Sequence, residues 1–225
     1  MPIPDLDGLQ HPRRLIRDRA YEAIRGAILS GDIRPGERLD DAELQTWLGI
    51  SRTPIRQALY ALTLEGFIET APQAHTRVVR PRHEDATHYL QTIGVLVTGV
   101  TVITLRAATA DQRADLVATL ALATEAIGDD NRKEFIERVS GYYVALTEMC
   151  PNPMLTRLVE QSATALGYNV VVAFEDLQID WEDVRRKHEH LIHELQTGTP
   201  DTIENATRQL FQLPPNEAST PTPSQ

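Results

Sequence analysis

A single cysteine in 225 residues, Cys150, excludes an internal disulfide and fits a reducing, cytoplasmic setting; a small buried hydrophobe is its expected role. Aromatic residues are few, at 5%, so aliphatic helix packing should dominate a core that 41% hydrophobic content can supply. The first ten residues, MPIPDLDGLQ, lack a basic stretch followed by an apolar one, so no signal peptide is expected. The longest apolar run, Ile93 to Leu105, is interrupted by threonines and is shorter than a bilayer requires; it reads as a core helix, with no membrane partner. Enzyme signatures are missing too. There is no nucleophile elbow, no phosphate-cradling glycine loop and no paired-carboxylate constellation above chance, so neither catalysis nor a cofactor is expected.

Lysine is missing from the first part of the chain. Residues 1–82 carry 12 arginines and no lysine against 11 acids, a balance of +1, whereas residues 83–225 carry 10 basic and 21 acidic residues, a balance of −11. The net charge of −10 therefore belongs to the second part. An overall acidic chain can still present the clustered basic groups that phosphate neutralisation needs.

The stretch Leu44 to Phe67, LQTWLGISRTPIRQALYALTLEGF, is punctuated for two short helices at a sharp angle. Gly49-Ile50 breaks the first run, Ser51 offers a side-chain cap, and Pro54 falls in the first turn of the next helix, where its missing N–H costs little. Ile55, Leu59, Leu62 and Ile68 then recur at near-helical spacing and face a core, leaving Arg52, Thr53, Arg56 and Gln57 on the other side. This is a helix-turn-helix whose second helix carries arginines at its amino-terminal end. Arg52 and Arg56 are one turn apart and point the same way. The bland alternative is two solvated arginines; the functional one is contact with base edges, where Arg bidentate to guanine is the commonest specific contact. Ser51 and Thr53 are placed to reach phosphate.

Along the chain, residues 1–12 read as a disordered arm, and Leu15 to Ser30 as a helix ended by Gly31. Arg34 to Arg38 is turn chemistry, and Asp41 opens the short helix of the pair. The segment FIETAPQAHTRVVRP alternates as two strands around Ala71 to His75, a wing in which His75, Thr76 and Arg77 are candidate phosphate or minor-groove contacts. From Pro81 onward the pattern is helical: Arg82–Arg106, then a Thr109/Gln112 capping box opening a helix to about Ile127, Asn131–Met149, Pro153–Val171, Trp181–Gln196, and a last helix capped by Thr199-Pro200 and ending near Phe211. The closing PPNEASTPTPSQ has the composition of a disordered tail. The predicted fold is mostly α: a DNA-binding unit at 13–81 with a small β-hairpin, an all-α unit at 82–213, and a tail at 214–225.

Gly31 to Thr70, and above all SRTPIRQAL (Ser51 to Leu59), resembles the winged helix-turn-helix of the GntR family of bacterial transcription regulators, whose usual pattern is SRTPVREAL. The remainder resembles, more weakly, the all-helical FCD-type effector domain of the FadR subfamily. The resemblance implies DNA contacts from Ser51, Arg52, Thr53, Arg56, Gln57, His75, Thr76 and Arg77. It departs from the family in two places: Ala71-Pro72-Gln73-Ala74 replaces the usual glycine at the wing tip, and Ala42 stands where many relatives carry arginine.

Relatives often hold a metal with an aspartate, a histidine one turn later and two further histidines. Alignment on Asn152-Pro153 and on Gly198 puts Val139, Tyr143, His188 and Leu210 at those positions. One imidazole cannot hold zinc in a site that wants about four ligands, so no metal is expected. His190 and His193 share a face with each other more nearly than with His188, and none of the three pairs is spaced as in HExxH. An effector pocket, if built here, would use Tyr142, Tyr143 and His188, with Tyr168 nearby. Relatives carry Arg and Glu on the first effector-domain helix, where Ile93 to Val102 is apolar here, which points to a more apolar ligand or to none.

The implied function is a regulator, expected to be a repressor, that binds an inverted-repeat operator in double-stranded DNA as a homodimer, with Val95 to Leu105 as a candidate dimer seam and a small-molecule effector as modulator. The alternative class is a helical interaction or scaffold module that retains the DNA-reading fold but works through protein partners.

Overall fold

The computed structural model describes residues 12–71, 75–128, 130–174 and 179–216. The chain forms two compact units, Met1–Pro81 and Arg82–Gln225. The first begins with α1 (Pro12–Ser30), closed by Gly31 in the left-handed region at φ 84°. Ala20, Ile24, Ala27 and Ile28 repeat at helical spacing and are buried. Residues 1–11 lie outside the described residues, and Pro12 belongs to α1 rather than to the arm expected to end there.

Two short helices follow. α2 (Asp41–Leu48) starts where the Asp40 carboxylate accepts from the Ala42 and Glu43 backbone N–H groups, at 2.8 and 3.3 Å. Those bonds hold the Asp40 carboxyl below its ordinary range. Gly49, at φ 67°, ends α2 and turns the chain into α3 (Arg52–Glu65). Ser51 is extended ahead of α3 as expected of a cap, but its hydroxyl caps nothing, which corrects the expected side-chain cap. Under α3 lie Ile55, Ala58, Leu59 and Leu62, all buried. Tyr21 on α1 donates to both carboxylate oxygens of Glu65 at 2.8 and 2.9 Å, tying the two longer helices. Burial and that acceptor push the Tyr21 phenol up to about 12.

The wing is an antiparallel pair, β1 (Ile68–Ala71) and β2 (His75–Val78), with Ile68 opposite Val78 and Glu69 opposite Arg77. Ile68 and Val78 are buried, which anchors the base of the hairpin. The Arg34–Arg38 segment is more than a turn. The Leu39 N–H donates to the Thr76 carbonyl, the Gly36 N–H to that of Val78, and the Val78 N–H to that of Glu37, so β2 is bonded on both edges. The tip residues Pro72, Gln73 and Ala74 lie outside the described residues.

In the second unit a single 3-10 turn (His83–Asp85) leads into α4 (Ala86–Ala107), then α5 (Ala110–Glu125), α6 (Arg132–Glu148), α7 (Pro153–Ala173), α8 (Trp181–Thr197) and α9 (Pro200–Leu210). α4 packs on α7 and α9, α5 on α6 and α8, and α8 on α9. The shared core holds Val100, Leu105, Leu116, Leu120, Tyr142, Leu146, Leu191, Leu195 and Ile203. Local signals start the helices. Thr109 and Gln112 exchange the two bonds of a capping box, as do Thr199 and Thr202, and Asn152 accepts from the Met154 and Leu155 N–H groups ahead of Pro153. Helix ends are also served from a distance: Arg185 on α8 donates to the Thr124 carbonyl in the last turn of α5 and to the Ile127 carbonyl just beyond it.

Three expectations are corrected here. The helix around Ile93–Leu105 is longer than the apolar run, and with the preceding turn is long and apolar enough to cross a membrane by length and composition alone. Within the unit, though, its Val97, Val100, Thr101, Thr104 and Leu105 are buried. Those residues therefore serve the unit's own interior, while of the expected dimer seam Val95 is exposed and Leu96, Val102 and Ile103 are half-buried. The tail does not begin at 214: Arg208 donates to the Pro214 carbonyl at 2.6 Å, and Asn216 donates from its backbone N–H to the Asn205 side-chain oxygen and from its amide to the Glu204 carboxylate, both on α9. Residues 217–225 lie outside the described residues.

Gly94 of α4 lies directly against Phe211, and a Cβ there would fall 2.2 Å from the Phe211 Cβ, whereas Gly141 on α6 has open space around it. Gly94→Ala should cost about 1–3 kcal/mol by overpacking. Gly141→Ala should be neutral or gain up to about 1 kcal/mol of helix propensity. Paired chemical denaturation of the two variants checks the difference; equal effects would place Phe211 elsewhere.

Candidate nucleic-acid interface

Burial decides which side of α3 is available. With Ile55, Ala58, Leu59 and Leu62 inward, Ser51, Arg52, Thr53, Arg56 and Gln57 are all exposed along one side of its amino-terminal half. The helix is rigidly seated there, and the exposed face is polar. Past this half the exposed residues become apolar, with Tyr60 and Leu64 67% and 71% exposed.

The two arginines are not loose. The Arg56 Nε–H donates to Asp41 Oδ2 at 2.9 Å, and Arg52 Nε lies 3.2 Å from the same oxygen. Asp41 is largely covered, with 19% of its side chain exposed, while the arginines keep 58% and 67%. Asp41 is the first residue of α2, so the turn between the helices brings an acid beside two bases 11 and 15 residues later in the sequence. Sequence reasoning missed this role. An acid in the first turn of α2 is expected for the helix dipole alone, and nothing local says that it also reaches across the turn.

The wing residues are half-buried. Arg77 Nε donates to Glu69 Oε1 at 2.6 Å across the hairpin, so part of its charge is compensated. The Thr76 carbonyl is used by Leu39, leaving its side chain, with that of His75, on the strand that leads away from the tip. Glu69 is a second residue that the sequence reading did not single out; the cross-strand register pairs it with Arg77.

In the helical unit the expected pocket residues fall into two sets of ring contacts. Tyr142 and Tyr143 meet edge to face at 5.0 Å, and Tyr143 meets Phe211 at 5.8 Å. His188 stands edge-on to Phe135 at 5.4 Å, and Phe135 to Trp181 at 6.0 Å. Burial raises both phenols, and the Tyr142 hydroxyl has no hydrogen-bond partner among the described residues. The His188 Nδ1–H donates to the Val184 carbonyl at 2.8 Å, and burial lowers the imidazole below its ordinary value of 6.5. His190 and His193 are exposed.

A metal does not fit the positions at which the family holds one. Val139 and Leu210 carry no donor atom, burial keeps the Tyr143 phenol protonated, and one His188 nitrogen is already committed to the backbone. Among the described residues no group of three or more His, Cys, Asp or Glu side chains could hold an ion.

A short helix, a second helix presenting a polar amino-terminal face, and a two-stranded wing define a winged helix-turn-helix, here followed in the chain by a helical unit. Residues 16–78 match the model of the gntR family of bacterial regulatory proteins, and residues 97–213 match the FCD domain. The chain belongs to the GntR family of transcription regulators, among those that carry an FCD domain. The Nta operon transcriptional regulator of Aminobacter aminovorans is 26% identical over 167 residues, covering 73% of this chain and 75% of that protein. Two solved structures share the fold at 18% identity: a GntR regulator from Rhodococcus sp. RHA1 (TM-score 0.66, 87% of this chain, 93% of that one) and E. coli McbR/YncC (0.65, 88% and 93%).

His188 gives the helical unit a pH dependence whose sign follows from its environment. A histidine with a lowered folded value takes up its proton more readily when unfolded, so its share of stability is complete above about pH 6.5 and is lost as pH falls through the range below. His188→Leu should therefore flatten the decline of melting temperature between about pH 6.5 and 5 relative to wild type. An unchanged slope would mean that His188 is as solvated as His190.

Proposed function

We propose that the protein is a homodimeric repressor that works in the cytoplasm and binds an inverted-repeat operator through α3. On this reading residues 13–81 form the DNA-binding unit and 82–213 the effector and dimerisation unit. The observation that carries it is the exposed side of α3, where Arg52 and Arg56 stand one turn apart on a helix fixed by its buried face. A helix of this kind enters the major groove by its amino-terminal end. Arg52 and Arg56 are then the groups for base edges, with Gln57 beside them, and Ser51 and Thr53 the groups for phosphate. His75, Thr76 and Arg77 supply backbone or minor-groove contacts from the wing.

One reader helix spans too few base pairs for useful genomic specificity, which favours two copies on two half-sites. Exposed apolar residues are available for the seam: Met154 and Leu158 lie one turn apart on α7, and Val95 is on α4, which packs against α7. An effector in the helical unit would meet a largely apolar wall. The buried, unpartnered Tyr142 hydroxyl favours a ligand with a hydrogen-bond acceptor and little charge.

The test uses the duplex that wild-type protein selects from a random-sequence pool, with a scrambled duplex beside it. Arg56→Ala should weaken the selected duplex by about 5- to 150-fold, the worth of one bidentate base contact of about 1–3 kcal/mol, and relax preference at one position per half-site. Arg77→Ala should weaken both duplexes alike and flatten the salt dependence. The saturation point should be two chains per duplex. Uniform loss in both variants, or one chain per duplex, would contradict the reading.

A further inference from the structure

We infer that Asp41 is a positioning residue for sequence readout: its carboxylate accepts a hydrogen bond from Arg56 Nε and pairs with Arg52 beside it, and so steers both guanidinium groups toward base edges while withholding them from phosphate. The inference rests on the reading of α3 as the DNA-contacting helix.

One carboxylate oxygen lies 2.9 Å from Arg56 Nε and 3.2 Å from Arg52 Nε. Asp40 also lies within electrostatic reach of Arg52, but neither guanidinium has another hydrogen bond or ion pair among the described residues, so in each the far edge, Nη1 and Nη2, is open to a further acceptor. That far edge is one of the two ways a guanidinium can present parallel N–H groups to guanine O6 and N7. An arginine without such a tether is a long, freely rotating cation that settles on any phosphate, since phosphate binding is electrostatic and carries no sequence information. Asp41 removes one unit of charge from the contact surface and restricts both side chains. Both effects lower affinity for arbitrary DNA more than affinity for the matched site, and that difference is specificity.

Stability does not account for the arrangement. Both arginines are more than half exposed, and exposed ion pairs contribute little to folding. The start of α2 does not depend on Asp41 either, because Asp40 is the side chain that accepts the free N–H groups there. Asp41 is mostly covered, however, and its oxygen faces the two bases rather than open water.

Asp41→Asn tests this on the full chain, with the selected and scrambled duplexes titrated over a range of salt. The expected result is tighter binding of the scrambled duplex by several-fold, no gain for the selected one, a discrimination ratio reduced about tenfold, and a steeper salt dependence as the released arginines take up phosphates. Asp41→Glu keeps the charge and should restore most of the ratio. Asp41→Ser, well tolerated at a helix start, removes the charge by a second route should the asparagine variant fold poorly. A ratio unchanged in the Asn and Ser variants, or both duplexes shifted by one common factor, would overturn the assignment. The Arg52→Ala/Arg56→Ala double variant separates the two levels. If it loses discrimination while the Asp41 variants keep it, the role of Asp41 alone is wrong; if it still discriminates, α3 is not the reader and both readings fall.

Discussion

Everything proposed for the DNA-facing surface depends on the burial of one stripe of α3. Ile55, Ala58, Leu59 and Leu62 are packed against α1 and the base of the wing, and a helix seated by four buried residues cannot roll without exposing them. The direction of Arg52, Arg56 and Gln57 is thus set by apolar packing on the far side of the helix. The turn at Gly49 adds the second constraint, because it brings the start of α2 beside the start of α3, and with it Asp41 beside two arginines. Two exposed arginines are thus brought together by local geometry in a chain that is acidic as a whole.

The helical unit packs a core, but the positions that the family resemblance assigns to a metal carry side chains that do not suit one. Val139 and Leu210 put hydrocarbon where relatives often place metal donors, and Tyr143 turns its ring toward Tyr142 and Phe211. His188 remains, but as a buried imidazole whose backbone bond and aromatic neighbour account for its position. Effector recognition in such an interior would come from shape, apolar area and isolated hydroxyls, which select ligands differently from a metal that grips carboxylates.

What could be read from the sequence was what is local. The two-helix punctuation at Gly49 and Pro54, the apolar period Ile55–Leu59–Leu62 of α3, and the Thr109/Gln112 capping box all depend on residues within a turn or two of one another and appear in the structure, whereas Ile68, read as the next member of that period, is buried from β1 instead. What escaped depends on long-range placement. The bonding of β2 to residues 36–39 joins segments far apart in the chain; the anchoring of Asn216 needs the chain to turn back along α9; and the Asp41 oxygen between two arginines needs the angle between α2 and α3. Ser51 failed in the opposite way: residue type and extended backbone both suit a cap, yet its hydroxyl is not used as one. The exposed side of α3 was legible because a burial pattern defines its own complement, whereas the state of the side chains on that side was not.

The central claim, that α3 reads bases in the major groove, is tested most directly by methylation interference with wild-type protein on a selected duplex. Methyl groups at guanine N7 lie in the major groove and block the acceptor that an arginine would use. The expected result is strong interference at guanines in two symmetry-related half-sites, one reader helix on each. Interference confined to adenine N3 in the minor groove, or absent altogether while binding persists, would contradict the account.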